Sequence, residues 1–170
     1  MKHLALTLMS LSILPVLGAC GFTPMHATPG GQATFSQVAL SVADGEDEQD
    51  RAAGFRFAQH MRARIGDVRA PRYQLSVTPE VSRLGLGLTA QDRATRFDRR
   101  FVASWVLTDT KTGTIIDRGR SVDTTTFTGD RDPYRLASND DQSMRRITRL
   151  VADEVLADVA LAISAHATAP

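Results

Sequence analysis

Ser138–Ser164 reads SNDDQSMRRITRLVADEVLADVALAIS. Within it Met144, Ile147, Val151, Val155, Val159 and Ile163 recur at spacings of three, four, four, four and four. That period places six apolar side chains on one stripe of an α-helix. Leu150 and Leu156 widen the stripe, Asn139, Asp140 and Asp141 supply caps or first-turn acids, and residues after Ser164 read as frayed. A helix with one apolar stripe must bury it against another layer, so the fold depends on what the upstream sequence offers.

Upstream lies a second helix and a set of strands. Phe55, Ala58, Met61 and Ile65 recur at three or four and make one apolar stripe, with acids Glu46, Asp47, Glu48 and Asp50 before it and Arg62 and Arg64 near its end. Gly66-Asp67 closes that helix. Ser36, Val38, Leu40 and Val42 alternate as a strand that Asp44-Gly45 ends. Tyr73, Leu75 and Val77 alternate after Pro71, and Leu84, Leu86 and Leu88 keep the same period further on. Pro79 lacks a ladder donor, so that segment is an edge or is bulged there. Thr89 to Arg96 reads as a polar loop.

Phe97 to Thr110 is the longest strand signal, with Phe101, Ala103, Trp105 and Leu107 on one face and Val102 and Val106 on the other. Asp109 to Gly113 is a hairpin signal, and the chain returns from Thr114 to about Phe127, its Thr124-Thr125-Thr126 run suiting a strand edge. The order strand, helix, strand, strand, strand, helix gives an α+β fold. It is a two-layer sandwich, with two helices packed on one face of a four-stranded sheet. No internal repeat interrupts it.

The 170 residues are 42% hydrophobic and 23% charged, the composition of one globular domain. Twenty Lys+Arg face nineteen Asp+Glu, which excludes a nucleic-acid binder that relies on overall positive charge. Eighteen of the twenty cations are Arg. A single Cys excludes an intramolecular disulfide, a Cys-based zinc site and an iron–sulfur site.

That Cys ends the leader MKHLALTLMSLSILPVLGAC (Met1–Cys20). A basic start and an apolar stretch from Leu4 to Leu17 have the form of a secretory signal. Fourteen helical residues span ~21 Å, short of a ~30 Å hydrocarbon core. Leu17-Gly18-Ala19-Cys20 resembles a bacterial lipobox, in which the Cys sulfur takes a diacylglycerol and becomes the mature N-terminus. Cys20 is then the lipid-attachment site, and three acyl chains at ~0.8 kcal/mol per buried CH₂ hold the protein to its membrane. Gly21, rather than an Asp, follows it, which by resemblance points to the outer membrane. Removing Lys2 with the signal leaves nineteen cations and nineteen anions, a net charge of zero. The expected organisation is residues 1–19 signal peptide, 20–33 lipidated tether, 34–164 one α/β domain and 165–170 flexible tail.

Catalytic and metal chemistry find little support. His3, His26, His60 and His166 form no pair at metal-ligand spacing and lack the context of a hydrolase triad. His60 reads as an exposed helix residue. Gly85-Leu86-Gly87 opens no helix and is not a dinucleotide fingerprint, and Glu46–Asp50 lacks the alternating ligands of a calcium loop. The expectation is a protein without catalytic residues, cofactor or metal. Arginine remains. Arg83, Arg93, Arg96, Arg99 and Arg100 lie along and around the loop between the second and third strands, and Arg131 and Arg135 follow the returning one. Arg118 and Arg120 leave the same strand face. Guanidinium forks bind phosphate and carboxylate bidentately, and Leu84, Leu86, Leu88 and Phe97 offer apolar surface nearby. One reading is a solvated face balanced by Asp92, Asp98, Asp117 and Asp123; the other is contact with an anionic glycolipid. Arg118 and Arg120, then Arg99 and Arg100, are the candidates for that contact.

The run Cys20-Gly21-Phe22-Thr23-Pro24-Met25 resembles the opening of the LPS-assembly lipoprotein family (LptE, rare lipoprotein B), especially its alphaproteobacterial branch. Met25-His26 departs from the commoner Leu-Tyr. The resemblance continues through the mature chain only as element order. It implies a two-layer α/β domain that sits partly in the lumen of the outer-membrane β-barrel LptD, helps assemble it and contacts lipopolysaccharide in export. It implies no catalytic residue and assigns no contact residue. Two other classes stay open: an auxiliary lipoprotein of an ABC-type lipid transport system, and a lipid-anchored enzyme.

Overall fold

The computed structural model describes residues 35–88, 94–129 and 131–168. The expected signal peptide, Cys20 and the expected tether lie outside the described residues. The elements are β1 (Val38–Val42), α1 (Glu48–Ile65), β2 (Tyr73–Leu88), β3 (Ala94–Asp109), β4 (Ile115–Thr128) and α2 (Pro133–Thr168). The sheet order is β1-β2-β3-β4, with β1 parallel to β2 and the other pairs antiparallel. This is the α+β two-layer arrangement that the periodicities predict, both helices lying on one face.

The inner face is built from the odd positions of β2, β3 and β4 and the even positions of β1. Val38, Tyr73, Leu75, Val77, Phe101, Ala103, Trp105 and Leu107 are buried there against Phe57, Met61, Ile147, Val151, Val155 and Val159. In α1 the buried aromatic is Phe57, while Phe55 is 61% exposed, contrary to the sequence reading. Two residues turn a helix by about 200°, so only one of the two rings can face the sheet. Phe57 shares its face with Met61 and Ile65 at successive spacings of four. In α2 all six stripe residues are buried, and Leu156 with them. Leu150 is 45% exposed, because the face widens toward Thr148, Ala152 and Leu156 rather than toward residue 150.

Helix α2 starts at Pro133, five residues before the expected start. Proline fits the first helical position, and Asp132 Oδ1 accepts the Tyr134 N–H at 2.9 Å. Asn139, Asp140 and Asp141 are therefore inside the helix and are released for tertiary contacts. The helix also runs past Ser164 to Thr168, whose hydroxyl donates to Ser164 O at 3.1 Å. Helix α1 ends as expected, at Gly66, which has φ +81° and donates to Arg62 O.

Pro79 sits inside a continuous β2, facing the edge where β1 has ended. The last β1 bond is Ala43 N–H to Val77 O, so Pro79 costs the ladder nothing. Its ring packs under α1 at Gly54, where an added Cβ would lie 3.0 Å from Pro79 Cγ. The β3–β4 hairpin closes at Asp109, as the sequence predicts. Its carboxylate accepts the N–H groups of Lys111 (2.8 Å) and Thr112 (3.2 Å), and Gly113 takes φ +69°. These bonds, led by Lys111, hold the Asp109 carboxyl below the usual carboxylate range against the opposing effect of its burial.

Candidate functional site: the uncovered face of the sheet

The helices leave the other sheet face without a second layer among the described residues. It carries the even positions of β2, β3 and β4, and register lines them in rows. Ser76, Val106 and Arg118 make one row; Thr78, Ser104 and Arg120 the next; then Glu80, Val102 and Val122; then Ser82, Arg100 and Thr124. Leu84, Asp98 and Thr126 follow, and then Leu86, Arg96 and Thr128. Val102, only 5% exposed, is the buried apolar centre of a face on which Ser, Thr and Arg outnumber the other apolar positions and the acids Glu80 and Asp98.

Arg96, Arg100, Arg118 and Arg120 are all exposed on this face. None of their guanidinium groups makes a hydrogen bond or ion pair with another described residue. Acids on the same strand positions are Glu80 and Asp98, and Asp98 already accepts the Thr126 hydroxyl at 2.6 Å. From Arg118, opposite Val106, to Arg96 is ten strand positions, a cationic band about 33 Å long. At its Arg96 end Leu84 is 63% exposed and Leu86 is partly exposed on the same face. Such a surface offers several separated cation sites and an apolar end, which suits an amphiphile with more than one anionic group.

The structure separates Arg99 from its neighbour. Arg99 is on the helix-covered face, 2% exposed, and paired with Asp140 of α2. Its guanidinium lies 5.5 Å from the Phe127 ring, and Phe127 stacks on Phe97 at 5.2 Å. Arg83 closes the cluster, 4.3 Å over Phe97 and 3.5 Å from Asp140. Strand alternation puts Arg99 and Arg100 on opposite faces, so Arg99 is a buried structural cation and Phe97 is drawn away from the arginine band. Arg96 was missed as a partner of Arg100, because a loop reading of Thr89–Arg96 suspends the two-residue period that unites them. Arg93 lies outside the described residues, as does Cys20.

His60, read as exposed, is half-buried between the helices. Its Nε2 lies 3.1 Å from Asp153, which Arg64 also approaches at 3.3 Å. Among the described residues no three His, Cys, Asp or Glu side chains gather to hold a metal ion, and no helix is long and apolar enough to cross a membrane.

No family model and no curated protein sequence matches the chain. Solved structures do. A candidate lipoprotein from Caulobacter crescentus superposes with TM-score 0.62 at 19% identity, over 81% of this chain and 97% of that one. Rare lipoprotein B from Shewanella oneidensis gives 0.54 at 13% identity, over 73% and 93%. A minor lipoprotein from Acinetobacter baumannii gives 0.52 at 14%, over 74% and 92%. The domain has the LptE-like fold of rare lipoprotein B.

Proposed function

We propose that this protein is a non-catalytic, lipid-anchored partner of an outer-membrane β-barrel of the LptD kind, and that it assists lipopolysaccharide export. The observation that carries the reading is the sheet face that the described residues leave uncovered, with four arginines unpaired among them, on a fold shared with rare lipoprotein B. Cys20, lipidated, holds the domain at the periplasmic leaflet beside the barrel mouth, which makes binding effectively intramolecular. A barrel lumen is polar, so its plug needs a polar surface rather than an apolar one. The Arg118–Arg96 band meets lumen carboxylates or the phosphates of the cargo, and Leu84 and Leu86 meet acyl chain.

Affinity capture of the lipidated protein from detergent-solubilised outer membranes tests this. A large β-barrel and lipopolysaccharide should co-purify. The variant Arg100→Glu/Arg118→Glu/Arg120→Glu should keep its melting temperature, retain less lipopolysaccharide and lose more as salt rises. Recovery of an inner-membrane ABC transporter instead would refute the reading.

A further inference from the structure

The two sides of the sheet treat their open edges differently. On β4 the even positions direct their backbone groups outward, and side chains occupy three of these groups. Asp117 Oδ1 accepts the Arg118 N–H at 2.8 Å, Asp123 Oδ1 accepts the Thr124 N–H at 2.6 Å, and Asn139 donates to Thr128 O at 3.1 Å. On β2 beyond the end of β1, Pro79 has no N–H to expose and Asp50 takes the Val81 N–H at 2.7 Å. Blunting of this kind is how sheets avoid unwanted pairing.

β1 is not blunted. The bonds Tyr73 N–H to Gln37 O and Ala43 N–H to Val77 O turn its odd positions toward β2. Val38, Leu40 and Val42 therefore direct N–H and C=O outward, and no described side chain meets them. Two cavities flank this edge on the helix side. One, of about 360 Å³, is lined by Val38, Leu40 and Val68 with Asp67 at its rim; the other, of about 130 Å³, by Val42, Ala58 and the exposed Phe55, with Asp44 and Arg51. Arg62 of α1 lines both, and its guanidinium has no partner among the described residues.

We propose that the β1 edge takes an extended segment of a partner protein, with an acidic side chain on Arg62 and apolar side chains two positions to either side. Strand addition supplies main-chain bonds to Val38, Leu40 and Val42, and alternate side chains of the added strand fall into the groove. The apolar residues fill the two cavities. The acid is needed because the segment would otherwise strip water from an unpaired guanidinium. This chain's own candidates fail on charge: neither Cys20–Thr34 nor the β1 sequence of a second copy, VALSV, contains an acid. The inference stands independently of the proposed export role.

The test uses the full lipidated chain in detergent and two synthetic peptides, TVTETVT and TVTKTVT, acetylated and amidated. The Glu peptide should bind roughly tenfold tighter than the Lys peptide, and Arg62→Glu should reverse that order. Amide exchange at Leu40 should slow on binding, while the Arg118 and Thr124 amides stay unchanged. Equal binding of the two peptides, no binding at millimolar concentration, or protection elsewhere overturns the proposal. So does protection of the β1 amides without peptide, whether from dimerisation seen by ultracentrifugation or from the chain's own Cys20–Thr34 segment.

Discussion

Arg99 and Asp140 allow a quantitative test of which arginines hold the fold and which face solvent. Arg99 is 2% exposed, so Asp140→Ala leaves a buried guanidinium whose Nε already has no partner. Removing one partner of a buried pair costs about 3–5 kcal/mol. Asp140 itself is 30% exposed, so water screens the pair and the expected loss is about 2–3 kcal/mol. For a domain of this size that lowers the melting temperature by roughly 6–15 °C. Arg99→Met removes the buried charge, and Asp140 keeps Arg83 at 3.5 Å, so its cost should be about 1 kcal/mol or less. The double variant Arg99→Met/Asp140→Ala should therefore be more stable than Asp140→Ala alone. Thermal and urea unfolding, followed by circular dichroism, measure all three. A loss below about 0.5 kcal/mol for Asp140→Ala, or a double variant no better than it, would refute the reasoning.

Further outcomes follow from single contacts. Gly119→Val forces a Cβ within 2.5 Å of Trp105 Cζ2; the cost should be about 1–3 kcal/mol, and emission of the chain's only Trp should shift to the red. Ile147→Ala, at a fully buried position, should cost about 2–5 kcal/mol, and Ile147→Asp should abolish the folding transition; an unchanged melting temperature for the Asp variant contradicts the α2 packing. Because the Asp109 carboxyl is held below its unfolded value near 4, its stabilisation is present above about pH 4 and is lost as pH falls through the folded value. Asp109→Asn should thus be less stable than the parent at pH 7 and lose less on acidification, and parallel pH profiles would contradict this. Cys20→Ala should fail to take up a fatty-acid analogue and leave the membrane fraction, and continued labelling would sink the anchor assignment.

Periodicity alone reached the layer order, the α2 stripe and the inward face of β3, because burial on one side of a strand or helix writes itself at two or 3.6 residues. It failed where a local signal had two physical meanings. Asn139, Asp140 and Asp141 have the chemistry of caps, but Pro133 and Asp132 start the helix earlier, and the acids became partners for Arg99, Arg56 and Arg145. Phe55 and Phe57 are both aromatic within one turn, and only packing against the sheet selects between them. The arginine face was half legible: parity joined Arg118 to Arg120, but the loop reading hid Arg96 and masked the opposite orientations of Arg99 and Arg100. The Arg62 groove left no mark in sequence, since an open strand edge is defined by which neighbours are absent.

Depletion of the protein in its own cell, with surface lipopolysaccharide and assembled barrel quantified together, tests the export role most directly. Both should fall in step as the protein is lost, and re-expression of the parent should restore both. Unchanged surface lipopolysaccharide and barrel, with phospholipid transport failing instead, would contradict the account.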